Sequence, residues 1–218
     1  MIRNLCHLPA PERQSLTPPL ERGPDLRLKP GEFSAIVPSL MHTLLGNLST
    51  SSVNLALLMA RVLLAIVFLA HGIRHIFGGG KIEGTGRWFE SLGMRPGILH
   101  AWIASLTEIG AAVLLLLGLL TPVGAAGIVG VMLVALITNH LRNGFFIFNP
   151  GEGYEYVLTL TVMAVVVGTL GPGQWSIDGH VTALQDLWGW PGFGIAAGAG
   201  ALGTAGLLAA FWRPERPA

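Results

Sequence analysis

Five apolar runs between residues 53 and 212 constrain this chain more than any other feature of its sequence. They cover about residues 53–72, 101–120, 123–139, 155–170 and 193–212. An α-helix rises ~1.5 Å per residue, so runs of this length can cross ~30 Å of hydrocarbon, with the fourth run the marginal one. Because backbone groups in lipid must find partners within their own segment, each run is expected to be a helix. Thr121-Pro122 is expected to form the tight turn between the second and third runs.

Composition excludes several classes of protein. Of the 218 residues, 51% are hydrophobic and 11% are charged, whereas soluble domains carry about 25% charged residues. That balance rules out a soluble enzyme. The net charge of +1 indicates no basic surface for nucleic acid. The one cysteine, Cys6, can form neither an intramolecular disulfide nor a paired-cysteine metal site.

The chain divides into a tail, a membrane domain and an added helix. Residues 1–52 are Pro-rich and are expected to be largely disordered. The first four runs define a membrane domain at residues 53–178, residues 179–212 add a loop and a Gly/Ala-rich run, and 213–218 form a short tail. The predicted fold is an all-α membrane protein, a four-helix transmembrane bundle plus a fifth C-terminal transmembrane helix.

Lysine and arginine in the connecting segments predict the orientation. The first loop (73–100) carries four of them and the third loop (140–154) carries Arg142, whereas the second and fourth loops carry none. Positive residues near helix ends favour the cytoplasmic side. The first loop, the third loop and the C-terminus are therefore expected inside, and the N-terminal tail outside.

Two ionisable residues lie well within apolar runs, Arg61 in the first and Glu108 in the second. Charges at this depth are costly and usually face another polar group inside a bundle. In two antiparallel helices joined by the first loop, they would be offset by about five residues, or 7–8 Å along the axis. We therefore predict an Arg61–Glu108 pair, either as a structural ion pair or as a proton- or ligand-binding site in which Glu108 titrates.

A second polar set is expected at the membrane face of the first loop. His71 and His75 share one side of the first helix, the third run ends at His140, and the fourth begins at Tyr154 and Glu155. These residue types suit a polar pocket for an organic substrate or quinone. Histidine and carboxylate side chains are also common metal ligands, although we assign no set of metal-binding residues here. The remaining interpretation is interfacial anchoring.

Two loops could serve such a pocket. In the first loop, residues 85–92 are expected to form a short helix capped at Thr85. Its Trp88 would lie either in a lid over the pocket or in an interfacial anchor. In the third loop, Asn143 and the aromatic pair that follows it suit either the entry of a flat ligand or membrane anchoring.

The fifth run is of a different kind. Its small residues recur four apart, as in Gly194/Gly198 and Ala196/Gly200/Thr204. Such spacing permits close helix–helix contact. We expect this helix to pack within the bundle or to form a homo-oligomer, and not to carry chemistry.

Several segments, taken in order, resemble the DoxX family of small bacterial membrane proteins over about residues 55–178. They are LLMARVLLAIVFLAHGIRHIFGG, GTGRWFESLGM, the Glu108 helix ending in LLLLGLLTP, NHLRNGFF, GYEYVLTL and GPGQWSID. The resemblance implies a multi-pass four-helix bundle in the bacterial inner membrane. It also implies a role like that of relatives in thiosulfate:quinone oxidoreductase or in membrane-associated oxidative-stress complexes.

The resemblance also assigns residues. The family's recurrent polar positions match Arg61, His71, Glu108, His140, Asn143 and Glu155. His75 stands where the family usually has a basic residue, which puts a lysine-dependent role in doubt. The N-terminal tail and the fifth helix lie outside the resemblance.

Three functional hypotheses follow. The first is a membrane subunit of a quinone-linked redox system, with Glu108 or Glu155 as proton acceptor, Arg61 beside Glu108, and His71 and His140 positioning a quinone carbonyl. Its electrons would come from a soluble or peripheral redox enzyme, because the chain has no paired cysteine, flavin or dinucleotide motif. The second is a non-catalytic scaffold whose basic first loop docks an acidic enzyme or anionic lipid. The third is a small-molecule transporter, which the absence of a visible internal repeat disfavours.

Overall fold

A computed structural model describes residues 50–214, and most of these residues lie in helices. The helices are α1 (Thr50–Phe77), α2 (Lys81–Ser91), α3 (Gly97–Leu117), α4 (Thr121–Asn143), α5 (Glu155–Leu170) and α6 (Trp190–Phe211). By length and composition, α1, α3, α4 and α6 can each cross a membrane. Among the five helices that correspond to the apolar runs, α5 is the shortest with 16 residues, as predicted. The five apolar runs are thus five helices, and the predicted all-α membrane fold is confirmed.

The structure describes only a small part of the predicted N-terminal and C-terminal tails. Residues 1–49 and 215–218 lie outside the described residues, and with them nearly all of the predicted disordered tail. Its last three residues, 50–52, instead form the first turn of α1. The membrane helix therefore starts earlier than the apolar pattern indicated, because Thr and Ser are tolerated in a first helical turn.

The core lies between α1, α3, α4 and α5. Phe68 of α1, Leu115 of α3, Ile128 of α4 and Ala164 of α5 are all buried in it. The outward faces carry exposed apolar side chains, as lipid contact requires, for example Met59, which is 64% exposed. Because lipid is as apolar as the core, such a bundle depends on close van der Waals packing.

The turn between α3 and α4 differs from the prediction. Thr121 and Pro122 are already the first residues of α4. The chain reverses just before them, where Gly118 and Leu120 have positive φ angles of 59° and 47°. Proline suits the first turn of a helix because its missing N–H needs no partner there. The turn therefore occupies residues 118–120.

Helix α2 also begins earlier than expected. It starts at Lys81 after Gly80, which has a left-handed conformation. The side chain of Thr85 does not cap it, because its hydroxyl donates to the backbone oxygen of His75 at 2.9 Å. Thr85 thus ties α2 to the end of α1, and the predicted cap is wrong.

Helix α6 packs against α4 along one row of its small residues. The hydroxyl of Thr204 donates to the backbone oxygen of Gly130 at 3.1 Å, and a Cβ on Gly200 would lie 2.7 Å from Val129 Cγ1. The end of the helix is tied to the α2–α3 connection, where Trp212 Nε1 donates to the Leu92 oxygen at 2.9 Å. The predicted intramolecular packing is confirmed for this row, and the homo-oligomer stays a prediction.

Gly72 allows α1 and α3 to approach closely. A Cβ at this position would lie 2.7 Å from Ile109 Cγ1 and 3.0 Å from the backbone oxygen of Ser105. Neither atom is the far end of a flexible side chain. Any larger residue at position 72 must therefore push the two helices apart.

We expect Gly72→Ala to lower the free energy of unfolding by about 2 kcal/mol, the usual cost of overpacking. Gly110 of α3 is the matched control, because a Cβ there meets nothing within 4 Å. Gly110→Ala should leave the protein as stable or raise its stability by about 0.5–1 kcal/mol, since alanine is the better helix former. Thermal unfolding of both variants in detergent measures the difference, and equal midpoints would contradict the close approach at Gly72.

Candidate functional site

A cavity of about 410 Å³ lies between the helices at the end of the bundle that holds α2. Its walls are mostly apolar, and the most polar side chains in its lining are His71, His75, His100, Glu108, His140 and Glu152. Helices α1, α2, α3, α4, α5 and α6 all contribute to it. The predicted gathering of polar residues at this face is therefore present for His71, His75, His140 and Trp88.

Glu108 and His75 face each other in the cavity wall. His75 Nδ1 lies 3.3 Å from Glu108 Oε2, and the Glu108 side chain is 3% exposed. The two atoms are close enough to interact electrostatically, yet neither has a hydrogen-bond partner among residues 50–214. An acid and an imidazole at this depth can share or pass on a proton.

The Glu108–His75 contact follows from the packing of α1 on α3. Gly72, one turn before His75, brings α1 against Ser105 and Ile109, which flank Glu108 in α3. The ring of Phe89 from α2 stands edge-on to the His75 ring, with centroids 6.4 Å apart. Three helices thus fix the acid–imidazole pair.

Arg61 lies far from Glu108, so the predicted pair is wrong. Its Nη1 donates to the backbone oxygen of Leu115 at 2.8 Å, and its Nη2 to that of Trp175 at 2.8 Å. Leu115 lies two helical turns beyond Glu108, or about 10 Å. The guanidinium therefore occupies the C-terminal end of α3, where backbone oxygens lack helical partners and favour a cation.

Asp178 complements Arg61 at the same turn, and sequence reasoning missed it. Its two carboxylate oxygens accept from the backbone N–H groups of Leu120 and Thr121 at 2.8 and 2.9 Å. It is 1% exposed and holds the start of α4 in the way that an N-cap residue does. Together with Arg61 it fixes the α3–α4 turn, at the end of the bundle away from the cavity.

His140 lies in a π-helical segment, Leu136–His140, that interrupts the end of α4. Such segments often occur at functional sites. Its Nδ1 lies 2.9 Å from the Glu152 backbone oxygen, and its Nε2 lies 3.2 Å from Asn139 Nδ2. The carbonyl can only accept and the amide nitrogen can only donate, so both bonds require the neutral ring protonated at Nδ1. His140 shapes the cavity with both of its nitrogens already engaged.

His71 lines the cavity, and one of its ring nitrogens bonds to the backbone of its own helix. Its Nδ1 bonds to the backbone oxygen of Val67 at 2.8 Å, which requires the proton on Nδ1. The other nitrogen, Nε2, is then an acceptor in the neutral ring. His71 can therefore accept a proton or a hydroxyl hydrogen, but it must be protonated before it can donate to a carbonyl.

Besides Arg61, three predicted site residues lie outside the cavity lining. The amide of Asn143 donates to the backbone oxygens of Gly151 and Glu152 at 2.6 and 3.1 Å, so it closes the α4–α5 loop. The Tyr154 ring packs edge-on against Phe145 at 5.5 Å. Glu155 is the first residue of α5, where the helix dipole stabilises a negative charge. These positions fit structural roles at the start of α5.

His100 lines the cavity, and sequence reasoning missed it. It lies in α3, is 2% exposed, and packs edge-on against Phe211 of α6 with ring centroids 5.0 Å apart. The apolar run began at residue 101, which left His100 in the loop. Its position two helical turns before Glu108 on the same helix is the signal that could have found it.

A metal site finds no support in the geometry. Within residues 50–214, the side chains of His, Cys, Asp and Glu form no group of three or more that could hold a metal ion. Two of the cavity histidines already use ring nitrogens for backbone carbonyls. The described cavity is instead suited to an organic ligand with an apolar body.

Comparison with known proteins identifies the family. The DoxX family model matches residues 56–141, which run from α1 to the end of α4. An uncharacterized membrane protein of Mycobacterium tuberculosis is 32% identical over 127 residues, which is 54% of this chain and 76% of the relative. No solved structure matches the chain. With the helical membrane fold, these findings show that the chain belongs to the DoxX family.

Proposed function

We propose that this chain is the quinone-binding membrane subunit of a redox complex in the bacterial inner membrane. The observation that carries the proposal is the apolar cavity with the buried Glu108–His75 contact in its wall. Its volume, about 410 Å³, falls in the range of ligand pockets, ~300–1,000 Å³. A quinone is flat and apolar with polar oxygens, so it matches both parts of this lining.

The chemistry requires protons as well as electrons. Reduction of a quinone to a quinol consumes two electrons and two protons, and the protons must reach oxygens inside an apolar site. Glu108 and His75 are the groups that can deliver them, because both line the cavity and their facing atoms, 3.3 Å apart, have no other partner within the described part of the chain. The electrons come from a soluble or peripheral redox enzyme that docks on the membrane subunit.

His71 and Trp88 are the other two residues that we assign to quinone binding. The Nε2 atom of His71 can accept the hydroxyl hydrogen of a quinol. Trp88 lines the cavity from α2 and packs edge-on against Phe89 at 5.2 Å. It provides a flat apolar surface for a ring system.

Two glycines of α6 allow a direct test of ligand binding. Gly203 lines the cavity and Gly206 lies outside its lining, and a Cβ on either meets nothing within 4 Å. Gly203→Phe places a ring at the cavity and is expected to weaken binding of 1,4-naphthoquinone by at least about tenfold, or about 1.4 kcal/mol. Gly206→Phe should leave the affinity unchanged.

Equilibrium dialysis of the detergent-purified chain measures both affinities, and quinone analysis of the extracted protein reports what it carries from the cell. Equal affinities in the two variants would place the binding elsewhere. A chain that binds no quinone and co-purifies with a soluble enzyme would instead be a non-catalytic scaffold.

A further inference from the structure

We propose that the α4–α5 loop is inserted in the lipid headgroup layer, so that the cavity beside it opens to the bilayer and not to water. The inserted surface is an apolar patch of four consecutive residues, Phe145, Phe146, Ile147 and Phe148. The inference concerns the surface at the cavity mouth and goes beyond the proposed function, because it holds for any ligand that the cavity takes.

The four side chains of the apolar patch are all exposed. Phe148 is 78% exposed and Phe146 is 50% exposed, and their rings stack on each other with centroids 5.1 Å apart. Phe145 and Ile147 are 46% and 38% exposed. Exposed apolar side chains that cluster in this way mark a surface that contacts lipid or another protein. The patch therefore requires a covering partner.

Hydrogen bonds within the loop hold the patch in this position. The N–H of Tyr154 donates to the Gly144 oxygen at 3.0 Å, and the N–H of Glu155 donates to the Phe145 oxygen at 2.9 Å. The amide of Asn143 closes the same loop from the end of α4. Backbone groups that are paired within the loop need no water, so they tolerate the drier surroundings of the headgroup layer.

The length of α5 favours lipid as the partner. Its 16 residues rise ~24 Å, which is less than the ~30 Å of a hydrocarbon core. The hydrogen bond between Glu155 and Phe145 places the patch beside the first residue of α5. Exposed apolar side chains at this point extend the lipid-facing surface of the short helix and reduce the hydrophobic mismatch.

The residues around the patch indicate the same partner and a shallow depth. Leu141 before the patch and Leu158 after it are 54% and 41% exposed, so the patch continues the apolar surface of α4 and α5. Arg142 and Glu152 are also exposed. Because charged side chains are costly in hydrocarbon, these two residues hold the loop at the depth of the headgroups.

Ile147 connects the patch to the cavity, because it belongs to both. Tyr156 of α5 and Trp88 of α2, which are 41% and 45% exposed, also line the cavity. The polar residues among the exposed lining are His71 and Glu152, and both suit the headgroup layer. With the patch in lipid, a ligand therefore reaches the cavity from the bilayer along an apolar surface.

The test measures whether lipid or water reaches the patch. The full chain, with Cys6→Ser so that it holds no other thiol, carries a fluorescent NBD label on Phe148→Cys in vesicles of phosphatidylcholine and phosphatidylglycerol. A nitroxide near the start of the lipid acyl chain quenches the label from the membrane, and iodide quenches it from the water. Met59→Cys, at a 64% exposed position of α1, is the lipid control. Glu83→Cys, at an exposed position of α2 on the same face as the loop, is the water control.

We expect the nitroxide lipid to quench the Phe148 label at least about half as strongly as the Met59 label, and iodide to quench it about threefold less than the Glu83 label, since inserted apolar side chains lie ~5–10 Å within the headgroup and acyl boundary. Phe146→Cys should give the same pattern and provides a second variant. Iodide quenching equal to that of the Glu83 label would overturn the inference, because the loop would lie in water. Shielding from both quenchers would also overturn it, because a second copy of the chain would then cover the patch.

Tyr156 tests the cavity mouth separately. In the same background, Tyr156→Cys should give the lipid pattern, because this residue lines the cavity and is exposed. Strong iodide quenching at Tyr156 together with the lipid pattern at Phe148 would overturn the opening to the bilayer and leave only the inserted loop. Neither measurement uses a ligand, so no outcome decides the proposed function.

Discussion

Arg61→Met is expected to lower the free energy of unfolding by about 3 kcal/mol. Methionine fills a similar volume but donates no hydrogen bond. The change removes the donor to the Trp175 backbone oxygen and one of the two donors to the Leu115 oxygen, which keeps the N–H of Gly118, in a site where Arg61 is fully buried. It also removes the cation from the C-terminal end of α3. The loss exceeds that of an ordinary surface substitution because hydrogen bonds to a fully buried charged group are lost.

Thermal unfolding of the detergent-purified protein measures this effect. Arg74 lies on the same helix and is exposed, so Arg74→Met is the matched control and should change the stability by no more than about 0.5 kcal/mol. Arg61→Lys should fall between the two, because an ammonium is a point charge and cannot span the separate acceptors that the guanidinium fork reaches. Similar midpoints for Arg61→Met and Arg74→Met would show that the hydrogen bonds at the α3–α4 turn contribute little.

The same residue explains where sequence reasoning failed. The apolar runs predicted the helices because their length and composition are local properties. The Arg61–Glu108 pair required the stagger between two helices, which depends on how the 73–100 loop folds. That loop contains α2, and the close contact of Gly72 with Ser105 and Ile109 sets α1 further along α3 than the loop ends indicated.

Asp178 and His100 were missed for related reasons. Asp178 caps a helix that begins 57 residues earlier in the chain, and no local pattern predicts so distant a partner. His100 lay one residue outside an apolar run, although its side chain is buried. Boundaries of helices are the least reliable part of a sequence-based prediction. The histidines at positions 71, 75 and 140 were predicted correctly to share a face, because connectivity alone places their helix ends together.

The predicted site residues differ in whether their polar atoms are bonded to the backbone. Asn143 and His140 have their polar atoms engaged with the backbone of the α4–α5 loop, so they shape the cavity without offering new hydrogen bonds. Glu108 and His75 instead face each other at 3.3 Å in the cavity wall, and the two facing atoms have no backbone partner within the described residues. Sequence patterns identify which residues are polar in a membrane helix, but only the packing shows which of them remain available to a ligand.

The second large effect is expected at Glu108. Under the proposed function, Glu108→Gln should lower the rate of quinone reduction by about 100-fold or more, within the usual range for the loss of a general acid–base group. Glutamine has nearly the same shape and can still donate a hydrogen bond, but it holds no transferable proton. Binding of 1,4-naphthoquinone should therefore stay within about threefold of the intact chain, or about 0.7 kcal/mol. The loss should appear in turnover and not in affinity.

The measurement uses membranes that contain the full chain together with the redox enzyme that the proposed function requires. Extraction gives the ratio of quinol to quinone, and dialysis gives the affinity. Glu83 of α2 is exposed and lies outside the cavity lining, so Glu83→Gln is the matched control and should turn over normally. Unchanged turnover in Glu108→Gln would remove Glu108 as the proton donor. Loss of turnover together with affinity would make it a ligand-holding group, because a residue that acts only in proton transfer leaves the bound state intact.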